Sequence, residues 1–317
     1  MTLIVATAKI GEKHRQQLHH HFPGVRFLFC HDREQAQKEG THADILVTFG
    51  GDVDKEWLTC FPALRWIHVL SAGVELLPFA ALRQAGIRVS NSRGIHAVPM
   101  GEYTLAMMLQ LTRRGHDLYR SQREKHWDRD IRVGELAGKT LAVIGAGAIG
   151  QGIAKRAHAF DMHVCGLNTS GHAVEHFDRM FAADQREELL TQADFVVVTL
   201  PLTDHTRRFI GERELRFMKR DAVLINIGRG SVIDESALLQ ALRERRIGGA
   251  VLDVFEQEPL PANHPFWELD NLLLTPHVSG RSPLYMQRAL DIFQDNLSRY
   301  LNEETALQNE IDLDRGY

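Results

Sequence analysis

Apolar positions along this chain come in short bursts, each followed by a stretch in which they recur every three or four residues. LIVATAKI (Leu3 to Ile10), VRFLFCH (Val25 to His31), ADILVTFG (Ala43 to Gly50) and WIHVLS (Trp66 to Ser71) are brief runs rich in Val, Ile and Phe. Each gives way to a polar, helix-patterned segment, and IRVSNS closes this first series at Ser92. Strands alternating with helices predict βαβ units and a parallel sheet flanked by helices, an α/β fold. A long helical pattern follows from Met100 to about Lys125; its first half is apolar nearly all round and is expected to be buried. After the polar stretch HWDRDIRVGELAGKT, a second series places strands at LAVIG, HVCGLN, DFVVVTLP, AVLINIG, GAVLDV and NLLLTP. These runs lack in–out alternation, as suits parallel strands buried on both faces. A last helical pattern spans about Pro283 to Asn302, and periodicity alone assigns it to neither series.

Composition narrows the class. The 317 residues are 44% hydrophobic and 25% charged, which excludes disordered and collagen-like chains. Single cores stop growing near ~250–300 residues, so two domains are expected. Lys and Arg number 37 against 41 Asp and Glu, a net charge of −4, so the basic excess of a nucleic-acid binder is missing. No apolar run approaches the ~18–20 residues of a membrane span. MTLIVATAKIGEKH has neither a basic flank nor a cleavage site and reads as a first strand, not a signal peptide. Cys30, Cys60 and Cys165 are scattered and form no CxxC, which points to reduced thiols and a cytoplasmic home. His14, His19, His20 and His21 have no Cys or acidic partner spaced to complete a metal site, so a solvated helix face is expected and no metal.

Candidate chemistry begins at LAVIGAGAIGQGIAKRAHAF, where Gly145, Gly147 and Gly150 form GxGxxG between an apolar strand and an amphipathic helix. With a second strand about twenty residues on, this is the context of a dinucleotide fingerprint. The glycines allow a tight turn and close approach of backbone to a pyrophosphate, which the helix N-terminus attracts. The second strand ends at Asn168, where an NAD site usually carries Asp or Glu on the ribose 2′-hydroxyl. The neutral Asn168, followed by Thr169, Ser170 and His172, removes the charge that would repel a 2′-phosphate. No Arg follows immediately, yet NADP(H) is expected over NAD(H), which stays open.

Three further segments follow strands: INIGRGSVID with Arg229, AVLDVFEQEPLP with Asp253, Glu256 and Glu258, and LLLTPHVSG with His277. In open α/β sheets ligands bind outside the carboxyl ends of the strands, so all three face the crevice of the glycine loop. Taken singly, each has a plainer reading: His277 as a structural residue, Arg229 as a turn residue, Glu258 as a loop charge. Thr203 and Thr206 are likewise readable as strand-end and cap residues.

Together the chain resembles the D-isomer-specific 2-hydroxyacid dehydrogenases over almost its whole length. GAGAIG, LPLTDHT, NIGRGSVID, LDVFEQEPLP and TPHVSG occur in family order, with SAGV at Ser71 to Val74. The resemblance implies a Rossmann nucleotide domain (100–283) inserted in a flavodoxin-like substrate domain (1–99 and 284–317), each a parallel sheet flanked by helices. It implies that Arg229 holds the carboxylate and carbonyl of a small 2-oxo acid, a task suited to a planar guanidinium. His277 would give a proton to the carbonyl oxygen as hydride reaches C2, and Glu258 would hydrogen-bond His277 and raise its pKa; Glu256 does not match the catalytic position. Asp253 would hold the nicotinamide carboxamide, and backbone amides of Ala72, Gly73 and Val74 would grip the substrate carboxylate. Around the dinucleotide it further places Gly145, Gly147, Ala148, Ile149, Gly150, Asn168, Thr169, Ser170, Leu200, Pro201, Thr206, Ile227, Gly228, Arg229, His277 and Gly280. The cleft would close on substrate and expel water.

A homodimer is expected through the arm from Ser121 to Thr140, which matches the region through which relatives pair. The short tail after the last helix leads us to expect no C-terminal regulatory domain, and Glu258 departs from the Gln of formate dehydrogenases. Asn168 and the NTSGH stretch point to the glyoxylate/hydroxypyruvate reductase branch. A non-enzymatic dinucleotide-sensing protein of the corepressor type is the alternative from another class. Substrate-wall candidates are Phe49 to Asp52, where Gly50 and Gly51 leave space, Arg93, and Tyr285 with Met286.

Overall fold

The computed structural model describes residues 1–314. Its backbone divides into two compact units, Met1–Ile95 together with the segment from Ser282 onward, and His96–Arg281. These borders fall a few residues before the cuts expected from the sequence.

In the first unit β1 (Leu3–Ala6), β2 (Arg26–Phe29), β3 (Ile45–Thr48), β4 (Trp66–Val69) and β5 (Arg88–Asn91) lie parallel in the order β2-β1-β3-β4-β5. That is the flavodoxin-like doubly wound order. β3 and β4 are buried at every position, which is why their apolar runs do not alternate. One face of the sheet packs Leu46, Ile67 and Val89 with Trp57 and Phe61. The other packs Ile4, Ala6, Ile45 and Trp66 against Ala289, Leu290, Phe293 and Leu297 of the helix Tyr285–Leu301. Those helix positions recur at spacings of three and four, one apolar stripe. Packing thus settles what periodicity did not: the last helix completes the core of the first unit.

A polar cluster sits inside that core. His68 on β4 is fully buried between Trp66 and Phe293, with Nδ1 2.8 Å from Ser90 Oγ and Nε2 3.2 Å from Ser92 Oγ. Trp66 Nε1 and Asn296 Nδ2 both donate to Ser90 Oγ. Burial pushes His68 down to about 3 from 6.5, against a backbone hydrogen bond at Ala289 that pulls the other way. Between those values the unfolded chain holds a proton that the folded chain refuses, so stability falls as pH drops below about 6.5. Wild-type protein is expected to lose about 2 kcal/mol from this group between pH 7 and pH 5. Urea melts of His68→Gln should show a lower stability at pH 7 but a flatter pH dependence. An equally steep loss in the variant would assign the acid sensitivity to other groups.

In the second unit the described strands are β6 (Thr140–Ile144), β7 (His163–Leu167), β8 (Arg179–Phe181), β9 (Phe195–Val198), β10 (Val223–Asn226), β11 (Gly249–Leu252) and β12 (Leu272–Leu274). They run parallel in the order β12-β11-β10-β9-β6-β7-β8, the Rossmann order with one strand added beyond β11. β8 was not expected from the sequence. It is a three-residue edge strand whose Arg179 lies over the Phe181 ring at 4.3 Å and pairs with Glu188, so it shows no apolar run.

The expected helix from Met100 to Lys125 is two helices, Ala97–Thr112 and Gly115–Arg123. Between them Arg114 takes a left-handed φ of 54°, with its guanidinium on Asp117. His19, His20 and His21 lie exposed on the helix Glu12–His21, where the His19 ring meets Phe27 and Phe29 edge-on. No helix among the described residues is long and apolar enough to cross a membrane.

Candidate active site

The second unit builds its site from loops at the carboxyl ends of neighbouring strands. After β6, Gly145 turns at φ +108°, and a Cβ there would sit 2.6 Å from Thr199 Oγ1. Thr199 Oγ1 donates to Gly145 O at 2.7 Å, tying the turn to the end of β9. A Cβ on Gly150 would come within 2.3 Å of Gly145 O, so only glycine lets the helix Ala148–His158 start so close to its strand. Gly147 differs, because a Cβ there would meet nothing within 4 Å. Its bareness keeps open the surface where the first helical amides, from Ala148 to Gly150, begin, and this is a cradle of the kind a pyrophosphate occupies.

At the end of β7 the side chain of Asn168 turns back on its own loop. Its Oδ1 accepts from the amides of Ser170 (3.1 Å) and Gly171 (2.6 Å), and its Nδ2 donates to His172 O at 2.9 Å. Ser170 Oγ and His172 Nδ1 lie 2.9 Å apart. An antiparallel bridge between Ser170 and Ala182, just past β8, pins the loop from outside. Thr169 is exposed beside it.

The remaining loops follow β9, β10, β11 and β12, neighbours in the sheet. Leu200 and Pro201 leave β9, and Thr206 Oγ1 donates to Pro201 O at 2.6 Å, so Thr206 locks the shape of this loop. Ile227, buried, donates its amide to Val198 O and brings Gly228 against that loop; a Cβ on Gly228 would lie 2.6 Å from Leu200 O. Gly230 is more constrained: its Cβ would be 1.9 Å from the carbonyl carbon of Phe255. Buried Asn226 latches the turn, accepting from Gly228 N and donating to Arg229 O. Arg229 therefore projects, exposed, from a loop pressed against residues 255 and 256, with its Nη1 on Gly228 O.

Glu258 Oε1 accepts from Phe255 N at 3.0 Å, and Glu258 Oε2 lies 2.8 Å from His277 Nδ1. A carboxylate only accepts, so Nδ1 carries the hydrogen and Nε2 is the nitrogen that can exchange a proton. The backbone amide of Glu256 donates to Glu235 Oε1 at 2.7 Å. A cavity of about 630 Å³ flanks the pair, walled by Phe255, Leu260, Trp267, Leu274 and Pro276.

Asp253 is wholly buried, and its carboxylate anchors the His277 loop. Oδ1 accepts from Thr275 Oγ1 at 2.5 Å and Val278 N at 2.9 Å, and Oδ2 accepts from Ser279 N at 2.9 Å. The amide of His277 donates to Asp253 O, while His277 itself sits at φ +52°. Gly280 O lies 3.3 Å from His96 Nδ1, and burial, with Arg229 nearby, lowers the pKa of His96.

The first unit presents its own candidates at the carboxyl end of its sheet. Ser71 Oγ donates to Gly73 O at 2.9 Å and Asn91 Nδ2 to Ala72 O at 2.6 Å, which fixes the loop through Val74. Thr48 bonds Asp52 and the amide of Gly50, and Phe49 is 44% exposed. The amide of Arg93 donates to Asn91 Oδ1. Tyr285 gives its hydroxyl to Leu70 O, and Met286 packs in the core beside it.

Sequence reasoning missed Tyr103, Thr275, Ser279, Asn226 and His96. Only Asn226 and Thr275 carried a signal, as polar residues ending apolar strand runs.

Residues 105–279 match the family model described as D-isomer specific 2-hydroxyacid dehydrogenase, NAD binding domain. The chain is 36% identical over 259 residues to a glyoxylate reductase of Aeropyrum pernix, covering 78% of this chain and 76% of the relative. To glyoxylate/hydroxypyruvate reductase B of Yersinia pestis it is 37% identical over 245 residues, 75% of this chain and 74% of the other. Among solved structures, a D-isomer specific 2-hydroxyacid dehydrogenase family protein of Aeromonas salmonicida superposes with a TM-score of 0.83 at 34% identity, over 98% and 99% of the two chains. A D-isomer specific 2-hydroxyacid dehydrogenase of Xanthobacter autotrophicus, solved with NADPH and MES, does so at 0.79 and 27% identity over 100% and 99%.

Proposed function

Because this chain belongs to the D-isomer-specific 2-hydroxyacid dehydrogenases, a family of NAD(P)-dependent oxidoreductases, we propose that it reduces small 2-oxo acids, of which glyoxylate and hydroxypyruvate are the first candidates. The observation that carries this reading is the Glu258–His277 pair at 2.8 Å, in the unit where Gly230 presses the Arg229 loop onto the segment leading to Glu258.

Arg229 binds the substrate carboxylate and orients the 2-oxo group; its fork of donors does this with two parallel bonds. His277 gives the proton on Nε2 to the carbonyl oxygen while Glu258 keeps Nδ1 protonated and steadies the imidazolium. In the oxidation direction the same nitrogen takes the hydroxyl proton back. Bound nicotinamide dinucleotide supplies the hydride to C2. Its pyrophosphate is assigned to Gly145, Gly147 and the amides from Ala148 to Gly150. Leu200, Pro201, Ile227 and Gly228, on the adjoining loops, would help hold the rest of the dinucleotide. The amides of Ala72, Gly73 and Val74 are assigned to the substrate carboxylate.

For the coenzyme we assign NADP(H) ahead of NAD(H). Support comes from the uncharged Asn168 and from the Ser170 hydroxyl and His172 imidazole held together on its loop. The homodimer is assigned to the arm from Ser121 to Thr140, supported by Trp127, 87% exposed. Unpaired Cys30, Cys60 and Cys165 fit a reducing compartment such as the cytoplasm.

The test is oxidation of NADPH and NADH, side by side, against glyoxylate, hydroxypyruvate, pyruvate, 2-oxobutyrate and phenylpyruvate. Rapid oxidation with at least one acid is expected, faster with NADPH. Protein that binds a dinucleotide yet oxidises neither with any acid would overturn the reading. Asn168→Asp should shift the ratio towards NADH, since Asp keeps the acceptor for Ser170 and Gly171 but sets a carboxylate where a 2′-phosphate would lie. An unchanged ratio would place the discriminator at Ser170 or His172.

A further inference from the structure

We propose that Tyr103 is a positioning residue for His277: acting through Thr275 and Asp253, it fixes the loop that holds the His277 backbone left-handed and its ring on Glu258. The proposal rests on the reading of His277 as the proton donor.

Tyr103 lies on the helix Ala97–Thr112, half-buried, and its hydroxyl is 2.6 Å from Thr275 Oγ1. Thr275 has one hydroxyl hydrogen, which it donates to Asp253 Oδ1 at 2.5 Å. The Tyr103 hydroxyl must therefore donate to Thr275, giving a directed chain from Tyr103 to Thr275 to Asp253. Burial, reinforced by the nearby Asp253, pushes the Tyr103 phenol up to about 12, so it stays a donor across the working pH range. A chain in which each hydroxyl donates onward polarises its members and strengthens each bond.

The end of the chain is where this matters. The Asp253 carboxylate also accepts from Val278 N and Ser279 N, the two residues after His277, while the Asp253 carbonyl accepts from His277 N. The loop is thus held on both sides of His277 by one buried residue. The hold matters because a histidine at φ +52° is in the left-handed region, which non-glycine residues enter uncommonly, even though Asn, Asp and His do so more often than the rest. Such a conformation persists only where its surroundings over-determine it. Loss of the first link frees Thr275 to turn away from Asp253, and the relaxed loop carries the imidazole off Glu258. His96, 3.3 Å from Gly280 O, braces the far end of the same loop independently.

The experiment compares Tyr103→Phe, Thr275→Val and Thr275→Ser with wild type and with His277→Ala. It reads kcat, KM for the best 2-oxo acid of the panel, the pH profile of kcat/KM, NADPH affinity by fluorescence titration, and melting temperature. For Tyr103→Phe we expect kcat to fall about 10- to 100-fold, with KM and NADPH affinity held within about twofold and the limb of the pH profile that reports His277 displaced. Thr275→Val should follow it, and Thr275→Ser, which keeps the hydroxyl, should restore most of the rate. Wild-type kcat and pH profile in Tyr103→Phe would overturn the proposal. So would a loss that only tracks a lowered melting temperature or weakened NADPH binding. The Thr275 pair applies the same test without touching the helix. His277→Ala separates the two levels: normal turnover there would remove the acid/base reading itself, whereas an inactive His277→Ala beside a fully active Tyr103→Phe removes only the positioning role.

Discussion

His277→Ala should lower kcat by about 10²- to 10⁴-fold, the range a positioned general acid contributes, while leaving NADPH affinity close to that of wild type. The expectation follows from how the imidazole is held. Its Nδ1 is committed to Glu258 at 2.8 Å, and Glu258 is in turn held by Phe255 N, so Nε2 is the nitrogen left to exchange a proton and the ring is held in one orientation. Without the ring, the developing alkoxide must find its proton in water, and Glu258 keeps only the Phe255 amide as a partner beside a cavity walled by Phe255, Leu260 and Trp267. The glycine loop and the Asn168 loop are built from other residues, so dinucleotide binding should survive. Stopped-flow oxidation of NADPH, with a separate fluorescence titration, distinguishes the two. Turnover at the wild-type rate would remove His277 from the chemistry.

A single methyl group at Gly230 is expected to do comparable harm. The added carbon would lie 1.9 Å from the carbonyl carbon of Phe255, 2.2 Å from its oxygen and 2.3 Å from Glu256 N. All three are backbone atoms, so no rotamer change relieves the overlap. One of the two loops must move, and they carry Arg229 and Glu258. Overpacking of this kind costs about 1–3 kcal/mol, so Gly230→Ala should melt at a lower temperature. Displacement of a binding group by about 1 Å costs about 100-fold in rate, so kcat/KM should fall at least that far. Thermal melts and kinetics on the same preparation check both. A variant with normal melting and normal kcat/KM would show that the spacing of the two loops is set elsewhere.

Much of this was readable before any coordinates, for identifiable reasons. β3, β4, β9 and β11 are buried along their whole length, so each wrote an uninterrupted apolar run into the sequence. Gly145 and Gly150 are required by contacts within a few residues or one strand away, and short-range necessity leaves a spaced motif. Arg229, Glu258 and His277 share an end of the sheet because parallel strands joined by right-handed crossovers point the same way. What was not readable depends on tertiary contact. β8 is an edge strand held by its neighbour, not by its own hydrophobicity. The break at Arg114 falls among polar residues, where a helical period is indistinguishable from a turn. Asn168 could be seen to be neutral, but not that its amide is spent on its own loop. The Tyr103–Thr275 contact joins hydroxyls 172 positions apart, and nothing local distinguishes that tyrosine from any other on an apolar helix.

The helix Tyr285–Leu301 has a further meaning for a chain made from one end. Its partners Ile4, Ala6, Ile45 and Trp66 leave the ribosome more than two hundred residues earlier. At about 5–20 residues per second, that is a wait of roughly 10–40 s. Residues 96–281 are contiguous and can close while they are being made. The first-made sheet cannot: one of its faces stays greasy until the last helix emerges. For those seconds the nascent chain is a natural client for chaperones, and translation halted before Tyr285 leaves a product with a finished second unit and a sticky first one.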